Sequence, residues 1–263
     1  MTTTADFWAL GNYDRIAALV ADLGTEVVAA AGIRSGMRVL DVGAGTGNAA
    51  LPAAAAGAEV VATDVTPELL AVGERHAQER GLALRWQVAD AQQLPFADGE
   101  FDAVLSCIGA MFAPDHVATA SELLRVCRPG GTVVMANWTP GGGVGRFFRL
   151  LGRYGPPDTG ETPPPTAWGD PVYVAALFEG AHVHTEPRML RLRFTGPPAE
   201  VAAYYCRHFA PVIATSSGLE PGRATTLERE IADLYAAEDT APPGGPSCYE
   251  LEYLLVRAVR PER

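Results

Sequence analysis

The stretch Met37-Arg38-Val39-Leu40-Asp41-Val42-Gly43-Ala44-Gly45-Thr46-Gly47-Asn48 restricts this chain more than any other. An apolar run leads into an acid, three glycines alternate with small residues, and an alanine-rich run follows: strand, tight turn, helix. Glycine at 43 and 45 lets the backbone take positive φ and lets a ligand approach the main chain with no Cβ in the way. A nucleoside-sized ligand suits such a turn. A nicotinamide or flavin fingerprint runs G-x-G-x-x-G and sets a pyrophosphate over the helix N-terminus. Here the glycines fall at 43, 45 and 47, behind Asp41. A carboxylate in that place repels a pyrophosphate and attracts an ammonium group, directly or through water.

The segments that follow alternate between strand and helix. Asn48 is placed to cap a helix that holds Pro52 in its first turn and stops at Gly57. Glu59 to Asp64 reads as a second strand, whose closing acid stands about 20 residues after Gly43, where a carboxylate meets a ribose diol. Thr66 and Pro67 open a helix through Arg80, in which His76 shares the face of Leu69 and Val72 and reads as structural. Leu84 to Asp90 is a third strand and again ends in an acid. Asp98-Gly99 marks a turn before the strand Phe101 to Ser106. A helix over 115–127 is expected to turn Val117, Ala120, Leu124 and Cys127 toward the sheet, and Thr132 to Asn137 makes a fifth strand. Upstream, Ile16, Leu19, Leu23, Val27 and Ala31 predict one amphipathic helix from Tyr13 to Ala31, ended by Gly32. The aromatic segment Phe7 to Tyr13 reads either as a staple of that helix onto the domain or as a flap over a bound ligand.

Taken together, the D-V-G-A-G-T-G turn, the acids at 64 and 90, the F-D-x-V strand and Arg128-Pro129-Gly130-Gly131 resemble the class I S-adenosylmethionine (SAM) dependent methyltransferases, in particular the UbiE-like small-molecule group. The resemblance covers Met37 to Asn137. It implies a Rossmann-like α/β fold, a seven-stranded sheet with helices on both faces and a helical insertion before the last strand. It also implies SAM as cofactor, with S-adenosylhomocysteine as product. The cofactor-binding positions it implies are Tyr13, Asp41, Gly43, Ala44, Gly45, Asp64, Val65, Asp90, Ala91 and Cys107, with Asp90 and the following amide at the adenine. On this reading the chain is one domain over 1–263. Residues 1–36 form a helical flap, 37–137 the cofactor-binding core, and 138–263 a substrate-side half with a roof over 197–245.

The rest of the chain fits that division. Thr139 to Pro165 is a long Gly/Pro-rich connection with one short helix, the kind of loop that binds ligands. Helix returns over 171–179, and the alternating segments Ala181 to Phe194 and Ser247 to Arg260 read as antiparallel edge strands. Between them 197–237 reads as two helices, closed by the run Pro242-Pro243-Gly244-Gly245-Pro246. Hydrophobic residues make up 48% and charged residues 19% of the chain, a globular composition. A formal net charge of -11 disfavours a nucleic acid substrate, because phosphate backbones are bound by clustered Lys and Arg. The cysteines at 107, 127, 206 and 248 form no C-x-x-C pair or zinc spacing. A cytoplasmic protein with reduced thiols, no metal, no membrane association and a monomeric or homodimeric state is expected.

Methyl transfer is an in-line displacement, so an enzyme for it mainly positions two reactants and excludes water. Ser106-Cys107-Ile108-Gly109 does not match the [DNS]-P-P-[YF] pattern of amino methyltransferases, which disfavours exocyclic amines. Candidate walls of an acceptor pocket are Met111, Phe112, Trp138, Phe147, Trp168, Tyr204, Tyr205 and Phe209, a set suited to a flat or lipophilic small molecule. His116 and His208 are candidate general bases, since imidazole titrates near neutrality. A methyltransferase-fold protein that uses bound SAM without methyl transfer, as a cyclase or isomerase, or that serves as a binding subunit, is the alternative reading.

Overall fold

The computed structural model describes residues 4–155, 160, 162–242 and 245–262. A short helix α1 (Thr4–Trp8) leads into α2 (Tyr13–Leu19) and α3 (Asp22–Ala31). Then come β1 (Arg38–Val42), α4 (Ala50–Ala55), β2 (Glu59–Asp64), α5 (Pro67–Glu79), β3 (Arg85–Val88), β4 (Phe101–Cys107), α6 (His116–Val126) and β5 (Cys127–Trp138). The second half contributes α7 (Gly143–Gly152), α8 (Pro171–Leu177), β6 (His182–Phe194), α9 (Pro198–His208), α10 (Ala210–Ser217), α11 (Pro221–Glu238) and β7 (Ser247–Val259). Seven strands form one sheet in the order β3-β2-β1-β4-β5-β7-β6. The first five are parallel; β7 inserts antiparallel between β5 and β6. The seven-stranded Rossmann-like architecture expected from the resemblance is thus the one observed. The chain order reverses between β1 and β4, and a ligand in such a sheet sits beyond the strand carboxyl ends at that point. Among the described residues no helix is long and apolar enough to cross a membrane.

The central strands are buried on both faces, with Val39, Leu40, Ala103, Val104, Leu105 and Val133 to Ala136 shut off from solvent. Their continuous apolar runs are what a parallel sheet covered by helices requires. Small residues set how closely those helices lie. A Cβ on Gly24 of α3 would stand 1.8 Å from the Asn48 carbonyl oxygen, so α3 rests directly on the chain entering α4.

Four local expectations are corrected. The helix expected from Tyr13 to Ala31 is two, because the Ala17 carbonyl accepts from the Asn48 side-chain amide at 3.0 Å and from the Val20 N–H at 3.1 Å. Asn48 therefore pins the break between α2 and α3 instead of capping α4, whose N-cap is Ala49 with no side-chain bond. On α6, Asp115 is the cap, its carboxylate accepting from Ala118 N–H at 2.9 Å. The buried face that results carries His116, Thr119, Ala120, Leu123 and Val126, while Val117 is 70% exposed. The expected stripe had skipped the two polar residues of the inner face and so was out of phase.

The roof is the fourth, with three helices instead of two. Phe209 leaves helical geometry (φ -98°, ψ 113°) between α9 and α10, and Pro211 cannot donate to the ladder of α9. The fifth strand also reaches back through Arg128-Pro129-Gly130-Gly131, with Gly130 at φ 70° and a register shift opposite Phe101 and Ala103. Residues 243 and 244 of the proline-glycine run, and 156–159 and 161 of the long connection, lie outside the described residues.

Candidate active site

A cleft opens beyond the carboxyl ends of β1, β2 and β3, with about 760 Å³ of space including its mouth. Its floor is the glycine turn. Gly43 and Gly45 take φ of 66° and 54°, the left-handed region that glycine enters at least cost. A Cβ on Gly43 would also stand 2.8 Å from the backbone of Gly109, so the turn after β1 and the turn after β4 touch through bare main chain. Asp64 ties this floor to the next strand: its carboxylate accepts from the N–H of Gly45 and of Thr66, each at 2.9 Å. Burial raises its pKa, and those amides offset part of the rise. Asp90 is exposed at the far rim, where it accepts from the Gln92 N–H at 2.9 Å.

Asp41 lies beneath the turn, fully buried, and among the described residues neither of its carboxylate oxygens has a hydrogen-bond partner. Burial pushes its pKa up to about 8; the facing Ala50 N–H lowers it in part and the charge of Asp64 adds to the rise. An orphaned buried acid is costly unless something pairs with it. The near wall of the cleft comes from the N-terminus. Trp8 of α1 packs edge-on against Tyr13 at 5.8 Å and Phe112 at 4.8 Å between ring centroids.

Tyr13 and Phe112 also form one end of a second chamber, of about 720 Å³, enclosed by α7, α9, α11 and β7. Its walls include Ile108, Trp138, Phe147, Phe148, Tyr205 and Phe209, and Glu238 is the one charged residue among the described residues that line it. Ile108 holds φ at 68°, a strained conformation for a β-branched residue, and its N–H donates to the Ala136 carbonyl at 3.0 Å. Burial raises the pKa of Tyr205 and Tyr235, so the chamber presents neutral phenols. Two adjoining spaces result, one polar and nucleoside-sized, the other aromatic.

Comparison with known proteins agrees with this geometry. A family model described as a methyltransferase domain matches residues 40–135. The uncharacterized protein Rv1405c of Mycobacterium tuberculosis is 43% identical over 256 residues, covering 95% of this chain and 92% of that protein. A demethylmenaquinone methyltransferase of Thermus thermophilus is 43% identical over 117 residues, 43% of this chain and 53% of that enzyme. The chain belongs to the class I SAM-dependent methyltransferases. In fold, it superposes on the YcgJ protein of Bacillus subtilis with a TM-score of 0.64 at 20% identity, over 92% of this chain and 99% of that one.

Within this methyltransferase fold the residues singled out in the sequence divide. Tyr13, Gly43, Gly45, Asp64, Val65, Asp90 and Ala91 line the first cleft; Asp41, Ala44 and Cys107 do not. Ala44 is fixed by its N–H to the Thr63 carbonyl at 2.8 Å, and burial followed by the charge of Asp41 pushes the Cys107 thiol up. Phe112, Trp138, Phe147, Tyr205 and Phe209 line the second chamber. Met111, Trp168 and Tyr204 do not, which corrects their expected role. Met111 and Trp168 are fully buried, Trp168 packing between His116 and Phe178, and Tyr204 donates its hydroxyl to the Arg15 carbonyl at 2.9 Å.

Neither candidate base reaches either space. His116 is the first residue of α6, its Nδ1 2.9 Å from the Tyr173 hydroxyl, and His208 stacks edge-on against Tyr204. Burial lowers the pKa of both, so they are neutral near pH 7. Trp8, in the segment that reads as staple or flap, lines the first cleft, whereas Ile108, Phe148, Tyr235 and Tyr249 are lining residues outside the sequence expectation. For Tyr235 a signal existed: Leu227, Ile231 and Tyr235 recur every four residues along α11. For Tyr249 it was the alternation of β7; for Ile108 the sequence carries none.

Proposed function

We propose that this protein transfers a methyl group from SAM to a small, neutral, largely apolar or aromatic acceptor. The observation that carries the reading is the junction: the polar cleft and the aromatic chamber meet at Tyr13 and Phe112. The first cleft fits the cofactor on this chain's own chemistry. Asp64 offers a carboxylate to ribose hydroxyls, Asp90 and Ala91 stand where an adenine edge would lie, and the bare backbone at Gly45 leaves room for the ligand. Asp41 lies beneath the turn with its carboxyl neutral below about pH 8 in the ligand-free fold; an ammonium group beside it would favour its ionised form, whereas a pyrophosphate would oppose it. When bound there, SAM supplies an electrophilic methyl group on a sulfonium.

The chain's remaining work is positional. Tyr13 and Phe112 bound the passage between the chambers, so an acceptor atom is presented through it while Trp8 covers the cofactor side from water. Phe147, Phe148 and Phe209 grip an apolar body by shape, and the lack of arginine in the chamber's described wall offers a phosphorylated acceptor nothing to pair with. Among the described residues no imidazole lines either space, so a proton released on transfer passes to solvent.

Two variants separate the chambers. Asp64→Ala should weaken binding of S-adenosylhomocysteine by about 1.5–3 kcal/mol, the worth of hydrogen bonds to a charged acceptor. Phe209→Ala should leave that affinity within about 0.5 kcal/mol, because it lies only in the second chamber. It should instead lower the transfer of labelled methyl from SAM into organic-extractable products. Equal loss of cofactor affinity in both variants would contradict the division of roles.

A further inference from the structure

Among the described residues one that is not glycine has a positive φ: Ile108, at 68°, in the turn after β4. A β-branched side chain is poorly suited to that region, and glycine or asparagine would occupy it at lower cost. The conformation persists because the chain is fixed on both sides of it. The Ile108 N–H donates to the Ala136 carbonyl of β5 at 3.0 Å. The next residue, Gly109, abuts the turn after β1, where a Cβ would stand 2.0 Å from the Gly43 carbonyl oxygen. Ser106 closes the turn, its hydroxyl donating to the Val42 carbonyl at 2.7 Å and accepting from the Ala110 N–H at 2.9 Å. None of these bonds uses the isoleucine side chain, so glycine at 108 would keep them all.

The use of that side chain follows from where the turn runs. Ile108 is 4% exposed and lines the aromatic chamber, whereas Gly109 and Ala110 line the first cleft. Adjacent Cα atoms are about 3.8 Å apart, so Ile108 stands at the inner end of the chamber, where its wall gives way to the cleft. Tyr13 and Phe112, which line both spaces, bound the same end. A pinned backbone and a branched side chain with few rotamers make this part of the wall stiff.

Resting on the methyl-transfer reading, we propose that Ile108 determines which acceptors reach the passage: its side chain narrows the inner end of the chamber, so a slim aromatic edge advances and a broad one is stopped short. The acceptor class is then a neutral aromatic whose reacting atom lies on an unencumbered edge, with no bulky group on either side of it. Transfer needs reacting atoms about 3–3.5 Å apart, so a molecule held back by a single layer of carbon does not react. The strain at 108 is stored where the side chain meets the substrate.

The test compares two neutral probes on the intact chain. N-phenyl-1-naphthylamine is broad and fluoresces in apolar surroundings; naphthalene, its slim parent, is read by displacing it. The ratio of their dissociation constants is measured in wild type, Ile108→Val, Ile108→Gly and Ile231→Val, Ile231 being a buried residue of α11 that lines neither space. From wild type through valine to glycine the ratio should move stepwise toward the broad probe, by about fivefold or more in total. Ile231→Val should leave it as in wild type. Affinity for S-adenosylhomocysteine should stay within about twofold in all four proteins, because Ile108 does not line the first cleft. An unchanged ratio in Ile108→Gly, an equal change in Ile231→Val, or no binding of either probe to wild type would overturn the proposal. So would a glycine variant that does not fold, by making the side chain a structural strut. Failure of S-adenosylhomocysteine to bind wild type would instead overturn the methyl-transfer reading, while the probe ratio still reports on Ile108.

Discussion

Asp41 shows how one side chain links sequence, stability and ligand choice. In the fold its carboxyl holds its proton up to about pH 8, whereas unfolded it titrates near 4. The folded state therefore binds the extra proton, and the sign follows: stability is fully present below about pH 4 and is lost as pH rises toward 8. Asp64, also raised by burial, acts in the same direction. Calorimetric melting of the ligand-free protein between pH 5 and 8.5 should show a falling melting temperature, and Asp41→Asn should flatten that fall and be the more stable protein at pH 8. Parallel curves for the two proteins would show that Asp41 has a partner. The acids were legible in the sequence because a carboxylate closing a strand is chemically distinctive. The aromatic walls were harder to read: Trp168 and Phe148 look alike in sequence, yet one is sealed in the core and the other faces the chamber. Only packing decides between them.

Elements were legible where their signals are local. Thr66 before Pro67, and Asp115 before α6, mark helix starts that the structure keeps. The break between α2 and α3 was not, since it depends on Asn48, 31 residues away from Ala17, and no periodicity within the helix reports it. That contact also makes Gly24 sensitive. Gly24→Ala should destabilise the protein by about 1–3 kcal/mol in urea unfolding, because its Cβ would drive into the Asn48 backbone. Gly222→Ala, with open space around its Cβ, should change stability by no more than about 1 kcal/mol. Equal effects of the two would contradict the close approach of α3. At the N-terminus, α1 reaches the cleft through Thr4 and through Trp8, which packs on Tyr13 and Phe112. Hydrogen exchange in residues 5–13 should slow when S-adenosylhomocysteine is added; identical protection with and without it would leave α1 a packed terminus and no more.

At the scale of the whole molecule, the alternation of strands and helices from Met37 to Asn137 was enough to expect a doubly wound sheet, and the two alternating segments near the end were enough to place its antiparallel edge. The roof was foreseen as helical but not as three helices, because its turn at Phe209 is a matter of one dihedral pair before Pro211. What that architecture does is bring two chambers together where the strand order reverses, one built from strand ends and the other from the roof. On the proposed function, a sulfur nucleoside in the first presents its reactive end to the second. A crystal structure of the protein with S-adenosylhomocysteine tests this directly. The ligand should lie with adenine at Asp90 and Ala91, ribose hydroxyls on Asp64, the amino group toward Asp41, and sulfur at the passage between Tyr13 and Phe112. A ligand whose sulfur faces bulk solvent, or a first cleft left empty at saturating ligand, would contradict it.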